Sequence, residues 1–218
     1  MTSFVLGSLA LLAVSGTVLA VEPSSKLAWT PENLALVKNG NAAKGKQLAE
    51  TCGACHGNGQ QEVAGAFPYL QGQLATYLYK QLKDYKDGSR GNAIMAGLVS
   101  GLSDQDMADL AAWYSQQPVP AGAKNVLPHE AAGQLVSRGD SKRILPPCQS
   151  CHEPNGKGQR IDVPGLAGQN AAYTEQTLQD YKSEARHNDL YGRMRSITQQ
   201  LSDEEIKALA HYYAGLGH

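Results

Sequence analysis

Cys52-Gly53-Ala54-Cys55-His56 returns 96 residues later as Cys148-Gln149-Ser150-Cys151-His152. The same offset carries Pro68 onto Pro164, Leu70 onto Leu166, Gly72-Gln73 onto Gly168-Gln169, Tyr77 onto Tyr173, Asp84-Tyr85-Lys86 onto Asp180-Tyr181-Lys182, Arg90 onto Arg186 and Asn92 onto Asn188. Three residues are inserted after Asn188. The matches then resume with Met95 on Met194, Leu102-Ser103-Asp104 on Leu201-Ser202-Asp203 and Leu110 on Leu209. A single repeat of this length means one structural unit built twice.

Each unit closes on a helix start, Ser103-x-x-Asp106 and Ser202-x-x-Glu205, where a hydroxyl caps first-turn N–H groups and an acid meets the positive helix end. Behind the caps, Met107, Leu110, Ala111 and Tyr114, and again Ile206, Leu209, Ala210 and Tyr213, fall on one helical face. A second helical pattern runs over 74–85 and over 171–181. No stretch alternates with period two for long enough to propose a sheet. The expected fold is all-α, two tandem domains arisen by internal duplication. Pro118, Pro120 and Gly122 stop the first terminal helix and mark a linker over about 116–126, so the domains are expected at 21–117 and 118–218.

The four cysteines all lie in the two repeated motifs. Disulfides within them would close tiny loops with little entropic benefit. A thioredoxin-like redox site needs a βαβ context that is absent, and a four-cysteine zinc site wants its pairs far closer than 96 residues. None of these uses the histidine. Cys-x-x-Cys-His does have a chemical reason: two thiols one helical turn apart add to the vinyl groups of a haem, and the next residue offers imidazole to the iron. Two covalently bound haem c groups are expected, on Cys52 and Cys55 with His56, and on Cys148 and Cys151 with His152. With only two Phe in 218 residues, such groups would also supply missing apolar bulk.

The sixth ligand decides whether such an iron is closed for electron transfer or open for chemistry. Besides His56, residues 21–118 contain no histidine and two methionines, Met95 and Met107. Met107 belongs to the apolar stripe and is replaced by Ile206 in the second unit. Met95 and Met194 are matched, each seven residues before the Leu-Ser-Asp helix start, in segments expected to be loops. They are the expected axial ligands, with His187 and His211 as competitors whose counterparts are Gly91 and Ala112. Pro68 and Pro164, twelve residues after each motif histidine, could offer a carbonyl to the imidazole N–H, the plainer reading being turn prolines.

Charge excludes one class of partner. Lys and Arg total 19 against 20 Asp and Glu, and the longest basic run is Lys142-Arg143, so no nucleic-acid surface is expected. Residues 2 to 21 carry no charge, Phe4 to Val14 has the length of a signal core, and Ala20 is a suitable cleavage residue. Residues 1–20 are expected to be a signal peptide, with an uncleaved anchor as the alternative. Either places the remainder outside the cytoplasm.

From about Asn33 onward the chain resembles the cytochrome c4 family. The resemblance rests on Phe67-Pro68-x-Leu70-x-Gly72-Gln73, its copy Val163-Pro164-x-Leu166-x-Gly168-Gln169, and both Met-x6-Leu-Ser-Asp segments. It implies two class I cytochrome c domains about a pseudo-twofold axis with haems facing across the interface. It also implies ligation by His56 with Met95 and by His152 with Met194. The implied role is periplasmic: electrons from a quinol-oxidising complex or another donor pass to a terminal cytochrome c oxidase, with peripheral membrane association left open. One departure is that 133–148 is longer than its counterpart 45–52. The dihaem subunits of flavocytochrome sulfide dehydrogenases are also similar, so an electron-acceptor subunit of a dehydrogenase is the alternative. A dihaem peroxidase or thiosulfate-oxidising enzyme would need an open or labile iron, and no fifth cysteine is available to ligate one. No catalytic residue is expected.

Overall fold

A computed structural model describes residues 24–57, 65–123, 130–159 and 161–216. The expected signal peptide at 1–20 lies outside the described residues. The N-terminal domain begins with α1 (Pro31–Lys38), which the pattern above did not single out. It starts because the Thr30 side chain accepts the Asn33 N–H and proline stands in its first turn. Then come α2 (Ala42–His56), α3 (Ala75–Asp87), α4 (Ala93–Val99) and α5 (Asp104–Ser115). The expected capping box is present, Ser103 and Asp106 each bonding the other's backbone N–H.

Helices α2 and α5 cross at backbone contact. A Cβ on Gly45 would lie 2.0 Å from the Asp109 carbonyl oxygen, and one on Gly40 2.4 Å from that of Ala108, so only glycine permits the approach. The Asn41 N–H donates to Asp109 Oδ1 at 2.7 Å, fixing the start of α2 on α5. Around this crossing, Leu78, Tyr79, Met107, Leu110 and Tyr114 form the first core.

The C-terminal domain repeats the plan with α6 (Glu130–Arg138), α7 (Gln149–His152), α8 (Ala171–Lys182), a 3-10 turn (Leu190–Gly192), α9 (Arg193–Thr198) and α10 (Asp203–Gly215). Its capping box joins Ser202 and Glu205, and its core gathers Leu135, Val136, Leu145, Ile206, Leu209 and Tyr213. Here the longer 133–148 segment has a visible consequence: the counterpart of α2 is broken into α6 and α7. The intervening turn is closed by an Asp140–Leu145 bridge, and Arg143 ties it to Asp140 and Glu205, each at 2.8 Å. The described residues contain isolated bridges but no strand. Two tandem helical domains are therefore present.

One expectation needs correction. Met95 and Met194 do not lie in loops; they sit on the short helices α4 and α9. The Asn92 side chain accepts the Met95 N–H at 3.0 Å and starts a helix of seven residues. Such a helix is too short to display a hydrophobic period.

Candidate haem sites

In the N-terminal domain the last turn of α2 carries Cys52, Cys55 and His56. At i and i+3 the two thiols lie one turn apart on one face. Cys52 is half-buried and Cys55 exposed, and neither is in a disulfide. His56 is buried, with Nδ1 2.9 Å from the Pro68 carbonyl oxygen. A carbonyl only accepts, so Nδ1 carries the proton and Nε2 keeps the lone pair that a metal needs. Burial lowers the His56 pKa against the opposing pull of the Pro68 bond, which keeps the imidazole neutral. Phe67 meets the ring edge-on at 6.4 Å.

The C-terminal domain reproduces this device. Cys148 stands at the N-cap position of α7 without a side-chain capping bond and is half-buried, Cys151 is exposed, and neither is in a disulfide. His152 is buried with Nδ1 3.0 Å from the Pro164 carbonyl oxygen, and burial likewise lowers its pKa. Met95 and Met194 are each half-buried, whereas Met107 is enclosed in the first core and has no free face. His187 is exposed and His211 half-buried. Among the described residues no three His, Cys, Asp or Glu side chains converge as a metal cluster.

Between the domains lies a polar layer that the sequence reading treated only as markers of the repeat. Arg186 is 5% exposed; its Nε donates to Asn188 Oδ1 at 2.9 Å, and Nη2 donates to Tyr77 OH and to Gln81 Oε1, both at 3.0 Å. Arg90 crosses the other way, donating to Tyr173 OH at 3.1 Å and to Gln81 Oε1 at 2.9 Å. Each guanidinium also stacks 4.6 Å above a tyrosine of its own domain, Tyr85 or Tyr181. Matched arginines beside matched tyrosines were the available signal.

None of these partners is a carboxylate. Neither arginine forms an ion pair among the described residues, and Arg186 Nη1 is buried with no acceptor. Burial pushes the Tyr173 phenol up, yet Arg90 and Arg186 outweigh it and bring the pKa down to about 7. A buried cation in this state calls for an anion. A haem brings two propionate carboxylates as well as an apolar ring, so paired thiols, a neutral buried imidazole and an unmet guanidinium together suit that group.

A family model for cytochrome c matches the chain twice, at residues 42–117 and 141–216. The chain is 39% identical over 188 residues to cytochrome c4 of Azotobacter vinelandii, covering 81% of this chain and 90% of that one. It is 38% identical over 173 residues to a thiosulfate dehydrogenase electron acceptor of Stutzerimonas stutzeri, covering 78% and 80% of the two chains. The crystal structure of reduced recombinant cytochrome c4 from Pseudomonas stutzeri superposes with a TM-score of 0.77 at 37% identity, over 82% of this chain and all of that one.

Proposed function

We propose, because this chain belongs to the cytochrome c4 family of two-domain c-type cytochromes, that it is a periplasmic carrier taking single electrons from the respiratory chain and delivering them to a terminal cytochrome c oxidase. The chain is a dihaem electron-transfer cytochrome with two covalent haem c groups. In this reading residues 1–20 are a cleaved signal and the domains meet at Pro118. Cys52 and Cys55 hold one haem and Cys148 and Cys151 the other, while His56 with Met95 and His152 with Met194 ligate the irons. Bound haem supplies an iron that alternates between ferrous and ferric states.

The protein's own residues set the terms of that exchange. Pro68 and Pro164 hold each imidazole by its Nδ1–H and leave Nε2 to the metal. The two methionines offer thioether sulfur, a soft ligand that favours the ferrous state and raises the potential. Arg90 and Arg186 would give haem propionates a counter-charge inside the protein. The observation that carries the proposal is that the two halves match in both respects: the same His–Pro carbonyl bond, and a methionine on the same short helix. With both irons held in this way, neither would offer an open position to a substrate.

A spectroelectrochemical titration of the mature protein tests this. The expected result is two high-potential one-electron steps and a far-red ferric iron–sulfur band, lost by halves in Met95→His and Met194→His. One very low-potential centre without that band would overturn the carrier. The relative named as an electron acceptor for thiosulfate dehydrogenase favours a second reading, an acceptor subunit of a dehydrogenase. Rapid reduction by such an enzyme, with slow delivery to a terminal oxidase, would select it.

A further inference from the structure

Each proximal hydrogen bond ends on a peptide group whose other side is held by the opposite domain. The Pro68–Tyr69 peptide accepts from His56 Nδ1 at 2.9 Å and donates its N–H to Gln169 Oε1 at 2.8 Å. The Pro164–Gly165 peptide accepts from His152 Nδ1 at 3.0 Å and donates its N–H to Gln73 Oε1 at 2.9 Å. Both glutamines then close the contact through Nε2, Gln169 donating to the Tyr69 carbonyl and Gln73 to that of Gly165, each at 2.9 Å. Tyr69 and Gly165 occupy one place in the repeat, and Gln73 and Gln169 another. Each Oε1 also accepts the N–H of the following residue, Leu74 at 2.9 Å and Asn170 at 2.8 Å, so the amides are held in this orientation.

We propose that Gln73 and Gln169 are positioning residues for the histidine of the opposite domain, each adjusting the potential of the iron across the interface. The proposal rests on the reading of His56 and His152 as iron ligands. A peptide that donates its N–H to a good acceptor carries more negative charge on its carbonyl, because hydrogen bonds in a chain polarise one another. That carbonyl draws the Nδ1 proton more strongly, enriches Nε2 and favours the ferric iron. The effect is crossed: Gln169 acts on the His56 centre and Gln73 on the His152 centre. A glutamine that merely held the domains together would disturb both centres, or the centre of its own domain.

The test uses the full haem-loaded protein with Gln169→Leu and Gln169→Glu, and the corresponding pair at Gln73. Leucine is preferred to alanine because a cavity of about 240 Å³ borders both glutamines and would let water replace a missing acceptor. Potentials are read by spectroelectrochemistry, the centres being assigned through Met95→His and Met194→His, and each Nδ1 proton is followed by NMR in the reduced state. Gln169→Leu is expected to raise the potential of the His56 centre and Gln169→Glu to lower it, both leaving the His152 centre in place. The Gln73 variants should show the mirror pattern; should they not accumulate, the Gln169 pair alone decides. Shifts confined to the variant's own domain, equal shifts in both centres, or shifts of one sign for Leu and Glu would overturn the proposal. A wild-type protein lacking two His/Met centres would overturn the ligand reading first and this proposal with it.

Discussion

Replacing Asp84 by alanine should destabilise this protein more than any exposed charge change, because Asp84 sits at a junction of three chain segments. It is fully buried, as is Lys80. Its Oδ2 accepts from Lys80 Nζ and from Asn188 Nδ2, and its Oδ1 from Ser25 Oγ, all at 2.6 Å. Lys80 Nζ also donates to the Asn188 carbonyl at 2.7 Å. Asp84→Ala would leave an ammonium buried with one neutral acceptor, a loss of about 3–5 kcal/mol by analogy with other broken buried pairs. For a chain of this size each kcal/mol moves Tm by about 2–4 °C, so the expected fall is about 6–20 °C, read by circular dichroism on the haem-loaded protein. The double variant Lys80→Met/Asp84→Leu removes both charges. Asn188 Nδ2 keeps Gln81 Oε1 at 3.0 Å, so the double variant should be more stable than Asp84→Ala alone. A fall below about 2 °C for Asp84→Ala, or a double variant as unstable as the sum of the singles, would refute the reasoning.

Gly45→Ala pushes a methyl group to 2.0 Å from the Asp109 carbonyl oxygen, forcing α2 off α5. Denaturant unfolding should show a loss of about 3 kcal/mol, the upper part of the range for overpacking, and reduced yield of the haem-loaded form. Acid acts on the C-terminal domain through Glu205, whose pKa is lowered first by its bond to Arg143 and further by the Ser202 backbone N–H. A lowered carboxylate pKa means that the pair's contribution is complete above the ordinary value of 4.5 and is lost as the pH falls through the depressed one. Glu205→Gln keeps the capping box, so wild type and variant should differ by at most about 1 kcal/mol at neutral pH and converge in acid unfolding curves.

Much of the fold was legible because duplication wrote the same signals twice. The Ser-x-x-acid caps and the four-residue apolar stripes of α5 and α10 are local, and local chemistry decided them. The cysteine and histidine spacing was equally local. What escaped was set by tertiary contact. Helices α4 and α9 span seven and six residues, and they exist because Asn92 caps one and the Asp189 carboxylate accepts the Arg195 N–H in the other. The splitting of α2's counterpart into α6 and α7 depends on Arg143 reaching Glu205 across 62 positions of sequence. Arg90 and Arg186 gave no local sign of burial, since each finds its tyrosine hydroxyl in the other domain.

The points at which the two halves differ explain how a symmetric pair of centres is locked into one asymmetric body. Asn92 and Asn188 occupy the same place in the repeat, yet Asn92 caps α4 while Asn188 is buried at the interface. The three inserted residues, 189–191, make this exchange feasible: they lead into the 3-10 turn (Leu190–Gly192) from which α9 starts, with Tyr191 at φ 60 and almost wholly exposed. Asn188, freed from capping, accepts from Arg186 and donates to Gln81 and Asp84. Its partners are equally one-sided, since the counterparts of Lys80 and Gln81 are Gln176 and Thr177, and Asp180 meets Gln176 in an exposed bond. Divergence has thus collected on one edge of the interface, where it supplies a buried ion pair and orients Arg186. The cysteines, the histidines with their proline carbonyl bonds, and the methionines match in both halves. The divergent edge built on Lys80, Asp84 and Asn188 has therefore changed without touching the matched set, whereas Gln73 and Gln169 span the interface in both copies.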